Sequence, residues 1–311
     1  MNKPRILVTT QMMIHNQPRF LKWLNDVGFD VDFVMNDQFL NEKECLNLPP
    51  IYDGWIAGDD QITSSVIDHL TPKLKIISKW GTGIDSIDKK YTEKKNVIVK
   101  NTFGAFKDTV SEIAVAYLLS LSRGLFDTHH KVINGYWPKI QYTELVDSNV
   151  GIIGLGAIGE GVAKRLENFR SNIFYSDPVV KNKSYKKVSF EKILTISDYL
   201  IFTCDLNSST FHMLNMKNIN NLKKGSFIIN VGRGSIISEE ALIYGFDAGL
   251  IAGAGLDVFE IEPLSFNNKL KKYNVIFGSH NANNTRIAVE NVHKNTINNL
   301  CNFFNIMERD C

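Results

Sequence analysis

Short apolar runs alternate with helical patterns along almost the whole chain. In the first third, runs of strand type are separated by stretches with helical periodicity, such as Gln17–Val27 and Ser64–Leu70. This alternation favours a parallel sheet, because parallel neighbours need a crossover connection. The pattern therefore predicts a small parallel α/β domain with strands at Arg5–Thr9, Val31–Val34, Gly54–Ala57, Lys75–Ser78 and Val97–Lys100.

A second series of strands and helices begins near residue 150. Asp108–Leu121, just before it, is predicted to be a long helix that is apolar nearly all round, which indicates burial between two domains or in a subunit interface. The last helical pattern, Thr285–Phe304, is expected to cross back onto the first domain. Six strands match a complete doubly wound domain, and they are predicted at Val150–Ile153, Ile173–Tyr175, Tyr199–Thr203, Ser226–Asn230, Gly253–Leu256 and Val275–Phe277.

Composition narrows the class of protein. The 311 residues, of which 44% are hydrophobic and 22% charged, are ordinary for a globular chain of two domains. The net charge is +2 and the lysines are scattered, so no basic stripe for a nucleic-acid partner is expected. The four cysteines stand far apart without CxxC spacing and are expected to be reduced thiols: Cys45, Cys204, Cys301 and Cys311.

The N-terminus and the hydropathy pattern predict a cytoplasmic protein. Met1–Pro4 leads directly into the first predicted strand, so no signal peptide is expected. No apolar run approaches the roughly 18 residues of a membrane helix, so no membrane partner is expected. His129 and His130 are sequence neighbours that cannot share one helix face, and no metal site is predicted.

A glycine motif lies in the second series. The apolar run Val150–Ile153 leads into Gly154-x-Gly156-x-x-Gly159, and a helical pattern follows. The first glycine permits a tight turn, the second lets a pyrophosphate approach the backbone, and the third lets helix pack on strand. The phosphates would then meet free N–H groups at the positive end of the helix. The motif therefore predicts a bound dinucleotide.

An acid at the end of the next strand indicates which dinucleotide. Asp177 lies 18 residues beyond Gly159, close to the spacing at which a carboxylate accepts hydrogen bonds from ribose hydroxyls. A 2′-phosphate would meet like charge there, and Pro178–Val180 offers no arginine to receive it. NAD is favoured over NADP. The alternative is a solvated turn aspartate that precedes a proline.

Three further stretches carry reactive groups at the carboxyl ends of predicted strands, where ligands of open α/β sheets bind. Arg233 is flanked by glycines, and its planar fork suits two-pronged contact with a carboxylate. Asp257 and Glu262 follow the next strand, and His280 follows the last one. Individually these signals are weak, because a lone loop histidine is usually structural and a glutamate before proline usually faces solvent.

Together with the glycine motif, these stretches resemble the D-isomer-specific 2-hydroxyacid dehydrogenases, and most closely the branch that contains phosphoglycerate dehydrogenase. The resemblance covers nearly the whole chain and is most specific over residues 224–263. It implies that Arg233, Glu262 and His280 are the catalytic groups. It also implies a set of cofactor-binding residues: Gly154, Gly156, Ala157, Ile158, Gly159, Asp177, Cys204, Thr210, Val231 and Asp257.

The same resemblance implies where the substrate binds. Gly81, Thr82 and Gly83 resemble the family's carboxylate-binding loop. Lys79 stands where relatives often have a basic residue, and it either meets a second anionic group such as phosphate or is a solvated strand-end lysine. The substrate is therefore left open between phosphorylated and simple 2-oxo acids.

The chemistry implied is reduction of a 2-oxo acid by NADH. His280 would donate the proton to the carbonyl oxygen, and Glu262 would favour its imidazolium form, raising the pKa of the histidine. Arg233 would hold the carboxylate and polarise the carbonyl. Asp257 matches the family's contact to the nicotinamide carboxamide. Glu260 is the alternative partner for the histidine, although Pro263 favours Glu262.

The resemblance also implies the domain plan. A flavodoxin-like substrate domain is expected over residues 1–100 and 284–311, and a Rossmann NAD-binding domain over residues 101–283, both doubly wound parallel α/β. A homodimer formed through the NAD-binding domain is expected. The alternative function is an NAD-sensing corepressor on the same fold.

Overall fold

The computed structural model describes residues 3–306. Cys311, predicted to be a reduced thiol, and the end of the predicted substrate domain at residues 307–311 lie outside the described residues. The described residues divide into two compact units. The first lies within Met1–Ala105 and Thr285–Cys311, and the second is Phe106–Asn284.

The first unit is built on a five-stranded parallel sheet. The strand order is β2-β1-β3-β4-β5, the order of flavodoxin-like domains. The strands are β1 (Arg5–Val8), β2 (Asp30–Phe33), β3 (Gly54–Ala57), β4 (Ile76–Lys79) and β5 (Ile98–Lys100). The helices are α1 (Gln11–Ile14), α2 (Gln17–Val27), α3 (Glu42–Leu46), α4 (Ser64–Leu70), α5 (Lys89–Lys94) and α11 (Arg286–Phe304).

The core of the first unit lies on the two faces of this sheet. The central strands β3 and β4 are buried at every position, as a parallel sheet with covered faces requires. Leu7, Trp55 and Ile67 are fully buried in one cluster. The final helix α11 packs on β4, where the Ser78 hydroxyl donates a 2.8 Å hydrogen bond to the carbonyl oxygen of Thr296.

The second unit is built on a seven-stranded parallel sheet of order β12-β11-β10-β9-β6-β7-β8. The chain reverses direction along the sheet between β6 and β9, which is the point where such folds bind ligands. The strands are β6 (Asn149–Ile153), β7 (Asn172–Ser176), β8 (Lys186–Lys187), β9 (Tyr199–Phe202), β10 (Ser226–Asn230), β11 (Ile251–Leu256) and β12 (Val275–Phe277). The helices are α6 (Lys107–Ser122), α7 (Leu125–Ile133), α8 (Ala157–Leu166), α9 (Phe190–Ile196) and α10 (Glu239–Asp247).

The predicted number of strands in the second series was wrong by one. Strand β8 pairs in parallel with β7, with Lys187 opposite Tyr175. It consists of two exposed lysines and therefore has no apolar pattern from which to predict it. The other predicted strands are present, with ends that differ by at most two residues.

The apolar helix α6 is covered largely by its own unit. Its residues pack against α8, β10 and β11. Gly255 on β11 lies so close to Tyr117 that a Cβ there would be 2.6 Å from the tyrosine Cβ, and Gly253 is similarly close to Leu121. Burial between domains or between subunits is therefore not needed to explain the apolar sequence of α6, because the sheet of the same unit supplies the partner surface.

Among residues 3–306, no single helix is long and apolar enough to cross a membrane. Helices α6 and α7 reach the length and hydropathy of a membrane-spanning segment only when taken together, and a bend of 61° separates them.

Candidate active site

The glycine turn after β6 has the geometry that its sequence predicts. Gly154 has φ of +88°, and a Cβ there would lie 2.7 Å from the Cα of Cys204. A Cβ on Gly159 would overlap the carbonyl oxygen of Gly154, so the helix can approach the strand only with glycine at this position. Around Gly156 nothing lies within 4 Å of a Cβ position, which leaves that side open to a ligand.

Helix α8 begins directly on this turn. Gly156 is its N-cap and provides no side-chain cap, and Ala157, Ile158 and Gly159 form its first turn. The N–H groups of a first turn have no acceptor within the helix, and the helix dipole places partial positive charge there. The Thr203 hydroxyl donates to the Gly154 carbonyl oxygen at 2.6 Å and holds the turn. These residues fit the pyrophosphate of a dinucleotide.

Asp177 is held against the glycine turn. Its Oδ2 accepts a hydrogen bond from the Leu155 N–H at 2.8 Å, and its Oδ1 accepts from the N–H groups of Val179 and Val180 at 2.8 and 2.7 Å. Burial opposes its ionisation, but these three donors outweigh burial, so the pKa of Asp177 lies below its usual value. The side chain is therefore an ordered, ionised carboxylate that joins the glycine turn to its own turn after β7.

A lysine that no sequence motif indicates lies at the same turn. Lys187, on the strand that was missed, donates from Nζ to the carbonyl oxygen of Val180 at 3.0 Å. Its positive charge also favours the ionised form of Asp177.

The remaining predicted cofactor residues, which follow β9 and β10, differ in what their side chains contact. Cys204 lies beneath Gly154, and burial raises the pKa of its thiol to about 12, so the thiol is neutral. The Thr210 hydroxyl donates to the carbonyl oxygen of Asp205 at 2.7 Å and accepts from the Asn207 N–H at 2.8 Å, and so serves its own turn. Val231 is buried immediately after β10.

His280 and Glu262 form a close pair. The Nδ1 atom of His280 lies 2.7 Å from Oε2 of Glu262, which requires Nδ1 to carry the hydrogen because the carboxylate can only accept. The other carboxylate oxygen of Glu262 accepts from the Phe259 N–H at 2.9 Å. Both side chains keep partial exposure, 30% for the histidine and 20% for the glutamate. Glu262 thus orients the imidazole through Nδ1, and Nε2 lies on the other side of the ring.

Asp257 holds the loop that carries His280. Its buried carboxylate accepts hydrogen bonds from the N–H groups of Asn281 at 3.3 Å and Ala282 at 3.0 Å. Its carbonyl oxygen accepts from the His280 N–H at 2.7 Å. His280 itself has φ of +54°, which a residue other than glycine adopts only when its surroundings hold it there. Asp257 thus positions the histidine, in addition to the cofactor contact that the resemblance implies.

Arg233 lies on a loop that is fixed on both sides. The Asn230 side chain donates to the Arg233 carbonyl oxygen at 2.9 Å and accepts from the Gly232 N–H at 3.1 Å. A Cβ on Gly234 would overlap the backbone of Phe259, so this loop packs directly on the segment that leads to Glu262. Because β10, β11 and β12 are neighbours, the three predicted catalytic residues follow the carboxyl ends of adjacent strands.

Glu260, the alternative partner for the histidine, is engaged elsewhere. Its Oε1 accepts a 2.6 Å hydrogen bond from the Glu239 N–H in the first turn of α10 and lies 3.3 Å from Nε2 of His212. The structure therefore places Glu262, and not Glu260, on His280.

The glycine loop of the first unit presents backbone donors. Its carbonyl oxygens are bonded away from the loop, that of Gly81 to the Thr102 N–H at 3.0 Å and that of Thr82 to the Asn101 side chain at 2.6 Å. Within residues 3–306, no protein acceptor is recorded for the N–H groups of Gly81, Thr82 and Gly83. Successive N–H groups of this kind can bind an anion.

Known proteins share both the sequence pattern and the fold. The profile of the D-isomer specific 2-hydroxyacid dehydrogenase, NAD binding domain, matches residues 115–282. Glyoxylate reductase from Thermofilum pendens is 34% identical over 241 residues, which are 73% of this chain and 70% of the relative. A glyoxylate/hydroxypyruvate reductase from Arabidopsis thaliana is 35% identical over 256 residues, 80% of this chain and 79% of the relative.

This chain belongs to the D-isomer-specific 2-hydroxyacid dehydrogenase family. It is an oxidoreductase with an NAD-binding domain. The NADPH-dependent glyoxylate/hydroxypyruvate reductase from Sinorhizobium meliloti, solved with NADP and malonate, is 26% identical, with a TM-score of 0.86 over 97% of this chain and 94% of that chain. The NAD-dependent formate dehydrogenase from Staphylococcus aureus, 23% identical with a TM-score of 0.86 over 98% and 97% of the two chains, shows the same fold.

In this dehydrogenase, Lys79 is already paired. Its Nζ lies 2.8 Å from Oδ1 of Asp59 and also donates to the carbonyl oxygen of Trp80 at 3.4 Å. The side chain of Lys79 is only 4% exposed, whereas that of Asp59 is 56% exposed. Lys79 is thus a buried ion-pair partner and not a solvated strand-end lysine, and a second anionic group on the substrate would compete with Asp59.

His293, which no sequence motif indicates, supports the glycine loop of the dehydrogenase. The Nε1–H of Trp80, the residue before Gly81, donates to Nδ1 of His293 at 3.0 Å. The imidazole packs against Phe20 with ring centroids 4.5 Å apart. Burial lowers the pKa of His293 to about 4, so the ring is neutral near pH 7. The contact joins positions 213 apart in sequence, and no local pattern indicates it.

No group of three or more His, Cys, Asp and Glu side chains in the described part of the chain could hold a metal ion. His129 and His130 have ring centroids 5.9 Å apart on α7.

Proposed function

We propose that this dehydrogenase reduces small 2-oxo acids of the glyoxylate and hydroxypyruvate type with NADH, and that His280 donates the proton. The observation that carries the proposal is the 2.7 Å contact between His280 Nδ1 and Glu262 Oε2 at the carboxyl ends of adjacent strands. The substrate class is supported by the curated relatives named above, which are glyoxylate and hydroxypyruvate reductases.

His280 acts through the nitrogen that Glu262 does not hold. NADH, when bound, supplies hydride to the carbonyl carbon. The Nε2–H of His280 gives its proton to the carbonyl oxygen, so that a hydroxyl group forms as the carbon is reduced. The negative charge of Glu262 stabilises the protonated imidazole before transfer, and the 2.7 Å contact keeps the ring oriented after it.

Arg233 and the glycine loop are proposed to hold the substrate carboxylate. The guanidinium of Arg233 can make a two-pronged contact with a carboxylate and polarise the adjacent carbonyl. The N–H groups of Gly81, Thr82 and Gly83 support a role in anion binding, because no acceptor within residues 3–306 uses them. Contact with a second anionic group of the substrate was one of two interpretations of Lys79, and its pairing with Asp59 argues for an indirect role.

The cofactor site supports a preference for NADH over NADPH. Asp177 is an ordered carboxylate beside the glycine turn, and a 2′-phosphate there would meet its negative charge. Lys187 lies at the same turn and lessens that repulsion, so we expect a preference of about tenfold and not an absolute discrimination.

We also propose a homodimer formed through the second unit, on a different surface from the one that the sequence suggested. Helix α7 buries none of its residues, and large apolar side chains from α7 and the segment after it are exposed: Leu125, Phe126, Val132, Ile133, Tyr136, Trp137 and Ile140. An exposed apolar stretch of this length marks an interaction surface, and a second copy of the chain is its proposed occupant.

Light scattering tests the dimer. The wild type is expected at twice the chain mass of 35.2 kDa, and Trp137→Asp is expected to shift it to the monomer. Ile287→Asp, at an exposed apolar residue of α11, is the control and keeps the mass of the wild type. A wild type that is monomeric at micromolar concentration would contradict the dimer.

The proposed reaction is tested by a panel of 2-oxo acids with NADH, followed at the nicotinamide absorbance. We expect turnover of glyoxylate and hydroxypyruvate, and loss of that turnover in His280→Ala. If no 2-oxo acid of the panel oxidises NADH, the proposed function is refuted.

A further inference from the structure

The ion pair between Lys79 and Asp59 has an unusual arrangement of charge. The cation is inside, with 4% of its side chain exposed, and the anion is outside, with 56% exposed. A lysine covered in this way presents little positive charge to a ligand, since its Nζ is occupied by Asp59 at 2.8 Å and by the Trp80 carbonyl oxygen at 3.4 Å. The surface at this point is that of a carboxylate.

Strand register places this carboxylate beside the glycine loop. Ala57 of β3 is paired with Lys79 of β4, and the Trp80 N–H donates to the Ala57 carbonyl oxygen at 2.9 Å. Asp59 lies two residues beyond Ala57, and Gly81 lies two residues beyond Lys79. Neighbouring strands are about 4.8 Å apart, so Asp59 and the start of the glycine loop are neighbours just beyond the carboxyl ends of β3 and β4.

The neighbouring acid, Asp60, faces inward and does not share this position. It is fully buried, and its carboxylate accepts hydrogen bonds from the Thr9 hydroxyl and from the N–H groups of Gly58 and Leu40. Of the two consecutive acids after β3, Asp59 is therefore the one whose charge faces outward next to the loop.

We propose that Asp59 is a specificity-determining residue that selects 2-oxo acids with a single negative charge. Its carboxylate holds Lys79 and repels a second anionic group on the substrate, such as a phosphate ester. The proposal rests on the proposed function, in which the glycine loop binds the substrate carboxylate. Like charges placed next to each other disfavour binding strongly. We therefore expect kcat/KM to be at least about tenfold higher for an acid with one negative charge than for the same acid with a phosphate group.

The test compares two substrates that differ only by a phosphate group, hydroxypyruvate and 3-phosphohydroxypyruvate. The wild type should have a kcat/KM at least about tenfold higher for hydroxypyruvate. Asp59→Asn removes the repelling charge and releases Lys79, so the ratio should shift by about tenfold or more towards the phosphorylated acid. Asp59→Glu keeps the charge and should keep the preference of the wild type.

Two further variants test whether the change in substrate ratio comes from the charge of Asp59 and the release of Lys79. In Asp59→Asn/Lys79→Met the gained activity on the phosphorylated acid should be lost, because Lys79 no longer supplies a cation. Asp53→Asn is the matched control, since Asp53 makes a 2.7 Å ion pair with Lys73 at the other end of β3. It removes the same charge far from the loop, and the substrate ratio should stay that of the wild type.

The outcomes are distinguishable. A wild type that uses the phosphorylated acid as well as hydroxypyruvate, or a ratio that Asp59→Asn leaves unchanged, overturns the role of Asp59 and leaves the proposed reaction standing. If Asp59→Asn does not fold, the wild-type ratio and Asp59→Ser decide in the same way. A wild type that reduces neither acid refutes the proposed function and this inference with it.

Discussion

Protonation of His293 is expected to destabilise the first unit as the pH falls. In the structure, Nδ1 of His293 accepts the hydrogen bond of the Trp80 indole. A proton on Nδ1 would place two donors against each other and charge a ring that is 3% exposed. Burial is the main cause of the lowered pKa, Glu290 opposes it and Arg19 adds to it.

The magnitude follows from the two pKa values. The ordinary histidine value is 6.5, and the folded value is about 4. The folded state therefore binds this proton less readily than the unfolded state, so the stability is fully present above pH 6.5 and is lost as the pH falls towards 4. At about 1.4 kcal/mol per pKa unit, the pKa shift of His293 contributes about 3 kcal/mol to the free energy of unfolding. About 2 kcal/mol of this contribution is lost by pH 5.

Urea unfolding at pH 7 and pH 5, followed by tryptophan fluorescence, measures this loss. Three of the four tryptophans, Trp23, Trp55 and Trp80, lie in the first unit, so the signal reports mainly on that unit. His293→Asn keeps a hydrogen-bond acceptor and does not titrate. Between pH 7 and pH 5 its free energy of unfolding should therefore fall by about 2 kcal/mol less than that of the wild type. His15→Asn, at an exposed histidine, is the control and should behave as the wild type. Equal losses in His293→Asn and the wild type would refute the reasoning.

Three other predictions concern the catalytic and cofactor groups. Arg233→Lys keeps the charge but loses the two-pronged contact, so steady-state kinetics should show a higher KM for the 2-oxo acid and a lower kcat; unchanged constants would contradict its role. Asp177→Ala should narrow the preference for NADH over NADPH, measured as a ratio of kcat/KM, without abolishing turnover. Glu262→Gln removes the anion beside His280, so the alkaline limb of the pH profile for reduction should move to lower pH, whereas Glu260→Gln should leave it in place.

Local patterns predict most of this fold. Buried parallel strands appear in sequence as short apolar runs, and the two-sheet α/β architecture that they indicate is confirmed, with flavodoxin-like strand order in the first sheet. Strand β8 was not predicted because Lys186 and Lys187 are polar and exposed. The apolar helix α6 was predicted correctly as a helix, but its sequence does not indicate which surface covers it, and the structure shows that β10, β11 and α8 do.

The residues of the candidate site also differ in whether the sequence alone can predict them. Groups that follow a motif along the chain, such as Asp177 or His280, can be proposed from sequence because the carboxyl end of each strand marks a binding edge. Pro263 and the family pattern favoured Glu262 over Glu260, and the structure shows the contact between Glu262 and His280. Asp59 and His293 had no local signal, because their partners depend on the pairing of β3 with β4 and on the packing of α11.

The most direct test of the proposed reaction is the kcat of His280→Ala with NADH and glyoxylate, measured beside NADH binding by fluorescence. Loss of the proton donor is expected to lower kcat by about 10²–10⁴, and NADH should bind as tightly as it does to the wild type. A variant that retains the kcat of the wild type would contradict the assignment of His280 as the acid, and with it the mechanism proposed for this dehydrogenase.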